Sequence, residues 1–560
     1  MAEKTVRKIA IIDHNKCKPN TPAYDYLRAK SKICGRHCIH IDGKKICISE
    51  NACALCYNIA KRAPGDAVTV VNLPSESLTV THSYGPNSFK LHGLPSPQPG
   101  TVLGLLGANG IGKSTAISIL SGEVFPNFGA EIGTEKQVSD TFRGSALQKY
   151  FKALKRGLKV IYKHQDMQYY VTRDPEFAHL SGGEQQLRIC MEVAATDADV
   201  YIFDEPTNYL DVKQRLVVAD IIQGLRKESN YIIVTDHDLS FMDYCSDSIS
   251  VMYGVAGAYG VASVSYTAPE AINHYLDGYL PTENMRFRSE PFAYCRNLEN
   301  LDIELLKSAT DFSYPDIEIQ HPGFSLHAVA GVVPSHSSVT IILGENGTGK
   351  TSFLKAIQDQ LGLSMSVKSQ YPKFSNVRDD CTVRTLLATY ATKAIIDPMF
   401  RSDVVKTLDV DNLMDKQLRT LSGGEQQRIA VVCCLSQEKD LYILDEPSAM
   451  LDIEQRVNLT KVVKRFIYHN RKAAFIVEHD ISVALAIGKE LNSHVIVFNK
   501  ESDGVSVASL PMNMQQGMNE FLKILGVTFR RNEKYKRHRI NKLDSAKDIQ
   551  QRKTGQYFVD

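Results

Sequence analysis

Two stretches of this 560-residue chain carry the pattern G-x4-G-K-[ST]: "GLLGANGIGKST" (104–115) and "IILGENGTGKTS" (341–352). Gly107, Gly110 and Gly112, like Gly344, Gly347 and Gly349, would let backbone N–H groups wrap a polyphosphate at a helix N-terminus. Lys113 and Lys350 would reach the β/γ oxygens, and Ser114 and Thr351 would hold Mg²⁺. Asn109, Thr115, Asn346 and Ser352 complete the two nucleotide-binding loops. Each loop is followed by an apolar run ending in Asp-Glu, in "YIFDEPTNYLD" (201–211) and "YILDEPSAMLD" (442–452). Asp204 and Asp445 can hold Mg²⁺ through water; Glu205 and Glu446 would polarise an attacking water. His237 and His479 follow further strands, where a γ-phosphate is within reach. Gln165 and Gln370 join each set on a shorter context. "LSGGEQQ" occurs at 180–186 and at 421–427. Ser181, Gly182, Gly183 and Glu184, and Ser422, Gly423, Gly424 and Glu425, would each form an anion nest at a helix start. Together these residues describe hydrolysis of a nucleoside triphosphate. Taken singly, a histidine after a strand is more often structural and an Asp-Glu pair more often a solvated turn; the ordered sets argue otherwise.

The elements that must hold these residues form a repeat. The offsets are 237 from Lys113 to Lys350, 241 from Ser181 to Ser422 and 242 from His237 to His479. Four motifs in one order at nearly one offset indicate a duplicated domain. Each copy reads as α/β: a β-rich run (Thr101–Leu106, Val339–Leu343) enters the Gly-rich loop, and further short strands end at the acidic and histidine positions. The copies differ around the glutamines. Copy one has about 32 residues extra before Gln165 and about 36 fewer after it. The extra segment, "SDTFRGSALQKYFKALKRG", predicts a basic amphipathic helix–loop–helix insert near 139–157. The shortfall predicts that a helical subdomain is reduced in copy one, or that a piece of sequence is absent. Copy two continues its signature as Gln427-Arg428, whereas copy one reads Gln186-Leu187 with Arg188 one place late, so its signature helix is the less certain.

Apolar content of 43% and charged content of 23% are ordinary for soluble globular protein, and a net charge of +2 does not make the whole chain a polyanion binder. No apolar run approaches 18 residues, and the start of the chain has only a short one, so neither a membrane span nor a signal peptide is expected and the chain reads as cytoplasmic. Six of the twelve cysteines fall in the first 56 residues. In a reducing compartment they are thiols or metal ligands.

With paired loops, Asp-Glu, histidine and LSGGE, the chain resembles the ABC ATPases. That resemblance implies two domains facing head to tail, Lys113 opposite Ser422 and Lys350 opposite Ser181. "YGVAGAYGV" (253–261), "DGYLPTENMRFR" (277–288), "FRGSALQKYF" (142–151) and the end "FLKILGVTFRRNEKYKRHRINKLDSAKD" (521–548) narrow it. With the Cys-rich start, they resemble the ABC subfamily E ribosome-recycling factors, also called the RNase L inhibitor family. The implied fold is two tandem ABC-type P-loop domains (75–252 and 299–510), a small ferredoxin-like domain (1–74), a hinge (253–298) and a C-terminal hinge with a basic tail (511–560). The implied function is ATP- and Mg²⁺-dependent splitting of ribosomes after termination or stalling. The implied partners are the small subunit, its rRNA and a release or rescue factor in the A site; the chain would be a monomer with an intramolecular ABC dimer and no membrane partner. Rival readings are a tandem ABC translation factor that does not split ribosomes and an ATP-binding scaffold with little hydrolysis. Residues 529–553 hold ten Lys/Arg against three Asp/Glu, with Tyr535 interleaved, which suits rRNA phosphates. Tyr84 and Phe89 match the family's adenine-stacking positions.

The family's N-terminal domain holds two [4Fe–4S] clusters on eight cysteines, in boxes of the form C-x2-C-x2-C-x3-C-P. Here Cys17, Cys53 and Cys56 match. Pro22, Tyr26, Ile59 and Ala63 stand at ligand positions, as does a residue near Ala29. The clusters are therefore expected to be absent or incomplete. Cys34, Cys38, Cys47, Cys53 and Cys56, with His37 and His40, could form a substitute zinc site, although the spacing is only loosely zinc-like.

Overall fold

The computed structural model describes residues 8–559 except 15, 32, 34–37, 50–51, 73–78, 131, 166, 173, 175–176, 178, 293–310, 322, 361–362, 373, 375–379, 502–503 and 532–537. Cys34, His37, Tyr535, Lys536, Arg537 and the end of the expected hinge lie outside the described residues.

Each lobe is built on one mixed sheet, and the two sheets have the same strand order. In lobe one it runs Val80–Ser83, Lys90–His92, Tyr259–Thr267, Ser248–Val255, Val102–Leu106, Tyr231–Thr235, Val200–Asp204, Val160–Lys163. In lobe two it runs Ile317–His321, Phe324–Ala328, Ser506–Ala508, Asn492–Lys500, Ser338–Gly344, Ala473–Val477, Leu441–Asp445, Met365–Lys368. The central strands are parallel and buried on both faces, so they read as continuous apolar runs such as "VYIFD" and "LYILD" rather than alternating ones. Each ends at a functional residue because parallel strands present their C-terminal ends on one edge of the sheet. The hairpin Ser248–Val255/Tyr259–Thr267 belongs to the first sheet. The domain boundary drawn at 252/253 therefore falls inside lobe one, which continues through the helix Ala268–Asp277.

The insert in lobe one is two helices, Glu135–Thr141 and Ala146–Lys155, broken at Gly144, whose φ is 76°. Thr134 and Ser145 cap them. Leu147 and Tyr150 face inward, and the Tyr150 hydroxyl donates to the Leu120 carbonyl at 2.5 Å. Lys149, Lys152 and Lys155 face solvent. After Gln165, the described residues of lobe one include the helical turn Gln168–Val171, where lobe two has a run of short helices from Val383 to Thr420.

That difference explains the altered signature sequence. In lobe two, buried Arg428 donates to the carbonyls of Leu408 and Asp409, tying its helix (Gly423–Leu435) to the extra helices. In lobe one Leu187 stands at that position and packs against the apolar core. Arg188 turns outward to Asp174 and Glu192 and lies over the Phe177 ring. The helix Gly182–Ala195 itself is as well started as its counterpart. Ser181 and Glu184 form a reciprocal capping box, as Ser422 and Glu425 do.

The N-terminal domain pairs Lys8–Ile12 with Val68–Asn72 and adds helices Pro22–Lys30 and Ala54–Lys61 and the hairpin Ile39–Asp42/Lys45–Ile48. It docks on lobe one through apolar packing, with Ile9, Ile11 and Val71 set against the lobe-one core, and through the buried side chain of Asn87. Asn87 Nδ2 donates to the carbonyls of Ala10 (2.7 Å) and Ile48 (2.8 Å), and its Oδ1 accepts from the Ile48 N–H at 2.8 Å.

The basic tail is not uniformly available. Arg539 makes a two-pronged ion pair with Asp243 of lobe one, at 2.6 and 2.9 Å. Arg552 bonds Asp548 and the Gly526 carbonyl. Counting charges treats every cation as free; buried acceptors have taken these two. Arg530, Lys542, Lys547 and Lys553 are exposed. Among the described residues no helix is long and apolar enough to cross a membrane.

Candidate nucleotide sites

The expected residues of each copy converge. Lys113 and Lys350 are buried at the first turn of their helices and curl back onto their own loops. Lys113 Nζ donates to the carbonyls of Gly107 (2.8 Å) and Ala108 (3.1 Å), and Lys350 Nζ to those of Gly344 (2.9 Å) and Glu345 (2.7 Å). Burial pushes both ammonium groups down, against the pull of the neighbouring Glu205 or Glu446. Gly112 and Gly349 have φ of 91° and 88°, and a side chain there would meet the ring of Phe89 or Phe324 at 2.5 Å. Glycine is thus required twice over. Phe89 lies against the loop. Tyr84 is exposed beside it, its hydroxyl 3.2 Å from that of buried Thr115. Phe324 is the equivalent of Phe89 in copy two.

The Asp-Glu pairs end their strands with φ of +47° at both Glu205 and Glu446, a conformation non-glycine residues seldom take. Two buried lysines that the motifs did not single out hold this turn. Lys163 Nζ donates to the carbonyls of Asp204 (2.9 Å) and Glu205 (3.3 Å), and Lys368 Nζ to those of Asp445 (2.7 Å) and Glu446 (3.0 Å). Burial pushes Lys368 down to about 8. Each stands two residues before its glutamine, so Lys-x-Gln is a repeat signal that the sequence did contain. Gln165 Nε2 donates to Glu205 at 2.6 Å and Gln370 Nε2 to Glu446 at 2.8 Å. His237 and His479 lie 3.4 and 3.2 Å from the same carboxylates. Burial alone would raise these carboxyls, but the histidine and lysine charges win and bring both down to about 2. Each is an ionised acceptor at neutral pH.

For Mg²⁺ the donors suit a hard cation. Thr351 Oγ1 donates to Asp445 Oδ2 at 3.0 Å, placing a hydroxyl and a carboxylate side by side. In copy one Asp204 instead takes hydrogen bonds from Thr235 (2.5 Å) and Tyr162 (3.0 Å), and Ser114 is exposed nearby.

The lobes face head to tail. Asn346 N–H in the second loop donates to Asp211 Oδ2 of lobe one at 2.8 Å, and Asn109 N–H to Asp452 Oδ2 of lobe two at 3.3 Å. The next residues exchange cores: Val212 packs into the apolar cluster of lobe two and Ile453 into that of lobe one. A side chain on Gly183 would meet the Tyr209 carbonyl at 2.9 Å and Asn346 Nδ2 at 3.0 Å, so the first signature sits directly on the second loop. Asp211 and Asp452 close both LD sequences, and their role becomes visible only across the interface.

One buried acid has a measurable signature. Glu478 accepts from the N–H and hydroxyl of Ser448 and is pushed up to about 7 by burial. In the unfolded chain it ionises near pH 4.5. Its contribution to stability is therefore complete below about pH 4.5 and is lost as pH rises towards about 7, by roughly 3 kcal/mol. Glu478→Gln should flatten the pH dependence of the lobe-two melting temperature across that interval in calorimetry. An unchanged slope would refute this assignment.

A family model described as "ABC transporter" matches residues 96–208 and 334–449. ABC transporter E family member 1 of Arabidopsis thaliana is 39% identical, covering 100% of this chain and 99% of its own length. Translation initiation factor RLI1 of Saccharomyces cerevisiae is 40% identical over 100% of this chain and 99% of its own. A structure titled as a model of ribosome-bound archaeal Pelota and ABCE1 superposes with a TM-score of 0.88 at 33% identity, covering 99% and 100%. With likeness running through the N-terminal domain, both lobes and the tail, the chain belongs to the E family of ABC proteins and is an ABC-type ATPase.

Proposed function

We propose that this protein is a cytoplasmic, ATP-driven ribosome recycling factor. It splits ribosomes after termination or stalling, beside a release or rescue factor in the A site, and stays on the small subunit through rRNA. The observation that carries this reading is the full-length likeness to an archaeal relative solved as ribosome-bound together with Pelota. In this reading ATP lies between Lys113 and the Ser422 signature, and between Lys350 and the Ser181 signature. Mg²⁺, when bound, neutralises phosphate charge beside Ser114 and Asp204 or Thr351 and Asp445. Glu205 and Glu446 orient and polarise the attacking water, Gln165 and Gln370 hold those carboxylates, and His237 and His479 face the γ-phosphate. Closure reaches the N-terminal domain through the 84–89 turn, which touches the nucleotide loop at Thr115 and Gly112 and the N-terminal domain at Asn87.

The N-terminal domain carries out this mechanical task without cubane clusters. Four ligand positions offer no thiolate, being Pro22, Tyr26, Ile59 and Ala63, and buried side chains including Tyr24, Leu27, Ile46 and Tyr57 pack a core there. Pushing between subunits requires a stiff body and no redox chemistry.

Sucrose-gradient analysis of purified ribosomes with the protein, ATP and a rescue factor tests the reading. Subunits should accumulate with ATP and not without it. Intact ribosomes persisting while ATP is hydrolysed would overturn it. Replacing Arg530, Lys542, Lys547 and Lys553 together with Ala should weaken small-subunit binding and flatten its salt dependence, because fewer counterions are released. An unchanged salt slope would remove the tail as an RNA contact.

A further inference from the structure

The Sγ atoms of Cys38, Cys53 and Cys56 all lie within 4.8 Å of one another, with Cys53 and Cys56 at 3.5 Å. Cys38 and Cys56 are buried and Cys53 is half-buried. Three thiolates on one tetrahedral zinc ion, with bonds of about 2.3 Å, stand about 3.8 Å apart. The observed trio needs only sub-ångström to one-ångström adjustments to reach that spacing.

Two elements, a hairpin and a helix start, bring the sulfurs together. Cys38 enters the strand Ile39–Asp42, and its carbonyl accepts from the Ser49 N–H at 2.7 Å, closing the mouth of the hairpin. Cys53 is the N-cap of the helix Ala54–Lys61 and caps no backbone N–H with its side chain. Cys56 is three residues on, facing the same end. Hairpin mouth plus helix start is a rigid frame for a small metal.

We propose that Cys38, Cys53 and Cys56 bind one zinc ion as thiolates, a site that includes a cysteine outside the iron–sulfur boxes and excludes one inside them. Cys17 is buried in the same apolar cluster but does not belong to the thiol group, and Cys47 faces His40 across the hairpin. Binding releases three protons to solvent and involves no electron transfer, so affinity rises with pH. The fourth position is left to water or a neighbouring side chain. The site would replace, with one ion, part of the cross-linking that two clusters supply elsewhere in the family. It rests on the cluster-free reading above, and the two can fail separately.

The test uses the full chain, purified under reducing conditions and supplied with zinc, followed by metal analysis and cobalt substitution. One zinc per chain and a thiolate-to-cobalt charge-transfer band are expected. Cys38→Ser and Cys53→Ser should each weaken zinc binding at least about 10²-fold in competition with a chelator, the upper scale of losing a supporting group, let alone a ligand. Cys17→Ser should bind as the parent does. ATP hydrolysis by the lobes, unchanged in all three variants, controls for folding. No uptake of added zinc, or full binding by Cys38→Ser, overturns the site while leaving the cluster-free reading intact. Four or more irons per chain with a broad visible band overturns both.

Discussion

Glu205 and Glu446 replaced together by glutamine should lower ATP turnover about 10²–10⁴-fold, the span expected for loss of a positioned base, while ATP binding persists. Glutamine preserves shape but turns one acceptor oxygen into a donor and removes the charge that each site holds ionised. Both carboxylates are aimed by the same three devices: a left-handed turn, a buried lysine on its carbonyls, and a glutamine on one oxygen. Single variants should separate the sites, because their surroundings differ. Glu205 also accepts from Asn208 at 2.8 Å. Single-turnover hydrolysis and filter binding of labelled ATP check this; parental turnover in the double variant would remove both residues from the chemistry.

The second large effect is expected far from the phosphates. Asn87→Gly should leave ATP hydrolysis near the parental rate and slow ribosome splitting. Asn87 is buried with φ of 55°, a conformation glycine accepts, so backbone strain is not the variable. What is lost is three buried hydrogen bonds to the N-terminal domain, together roughly 2–4 kcal/mol. The apolar packing of Ile9 and the Ile12 N–H bond to the residue-87 carbonyl remain, so the small domain is loosened on lobe one. Cysteine cross-linking between the two would read the loosening, and gradients would read the splitting. Splitting at the parental rate by a loosened domain would show that the force travels by another route.

Much of the nucleotide chemistry was legible because it constrains residue type along a short stretch. A loop that wraps phosphate needs glycines at fixed spacing, and a carboxylate at a strand end needs an apolar run before it. Lys163 and Lys368 were hidden because a lone lysine reads as a solvated cation; only their burial and their carbonyl partners reveal them. Asp211 and Asp452 act across 135 and 343 residues of sequence, on loops of the opposite lobe. Asn87 sits in a short polar turn that looks like any other. The tail failed in the opposite sense: composition promised a uniform basic surface, and Arg539 was already engaged. The substitution of Leu187 for arginine in the first signature was visible, but its reason was not until the extra helices of lobe two could be seen.

The Arg539–Asp243 pair fixes where the molecule can bend. It fastens the end of the chain to the helix Leu239–Cys245, which starts just past His237 in lobe one. Breaking such a largely buried pair by leaving one partner alone costs about 3–5 kcal/mol. A motion that parts the nucleotide edges while keeping this clasp avoids that cost. A clasp kept through the cycle would serve as a fulcrum, about which the lobes would rock rather than drift apart.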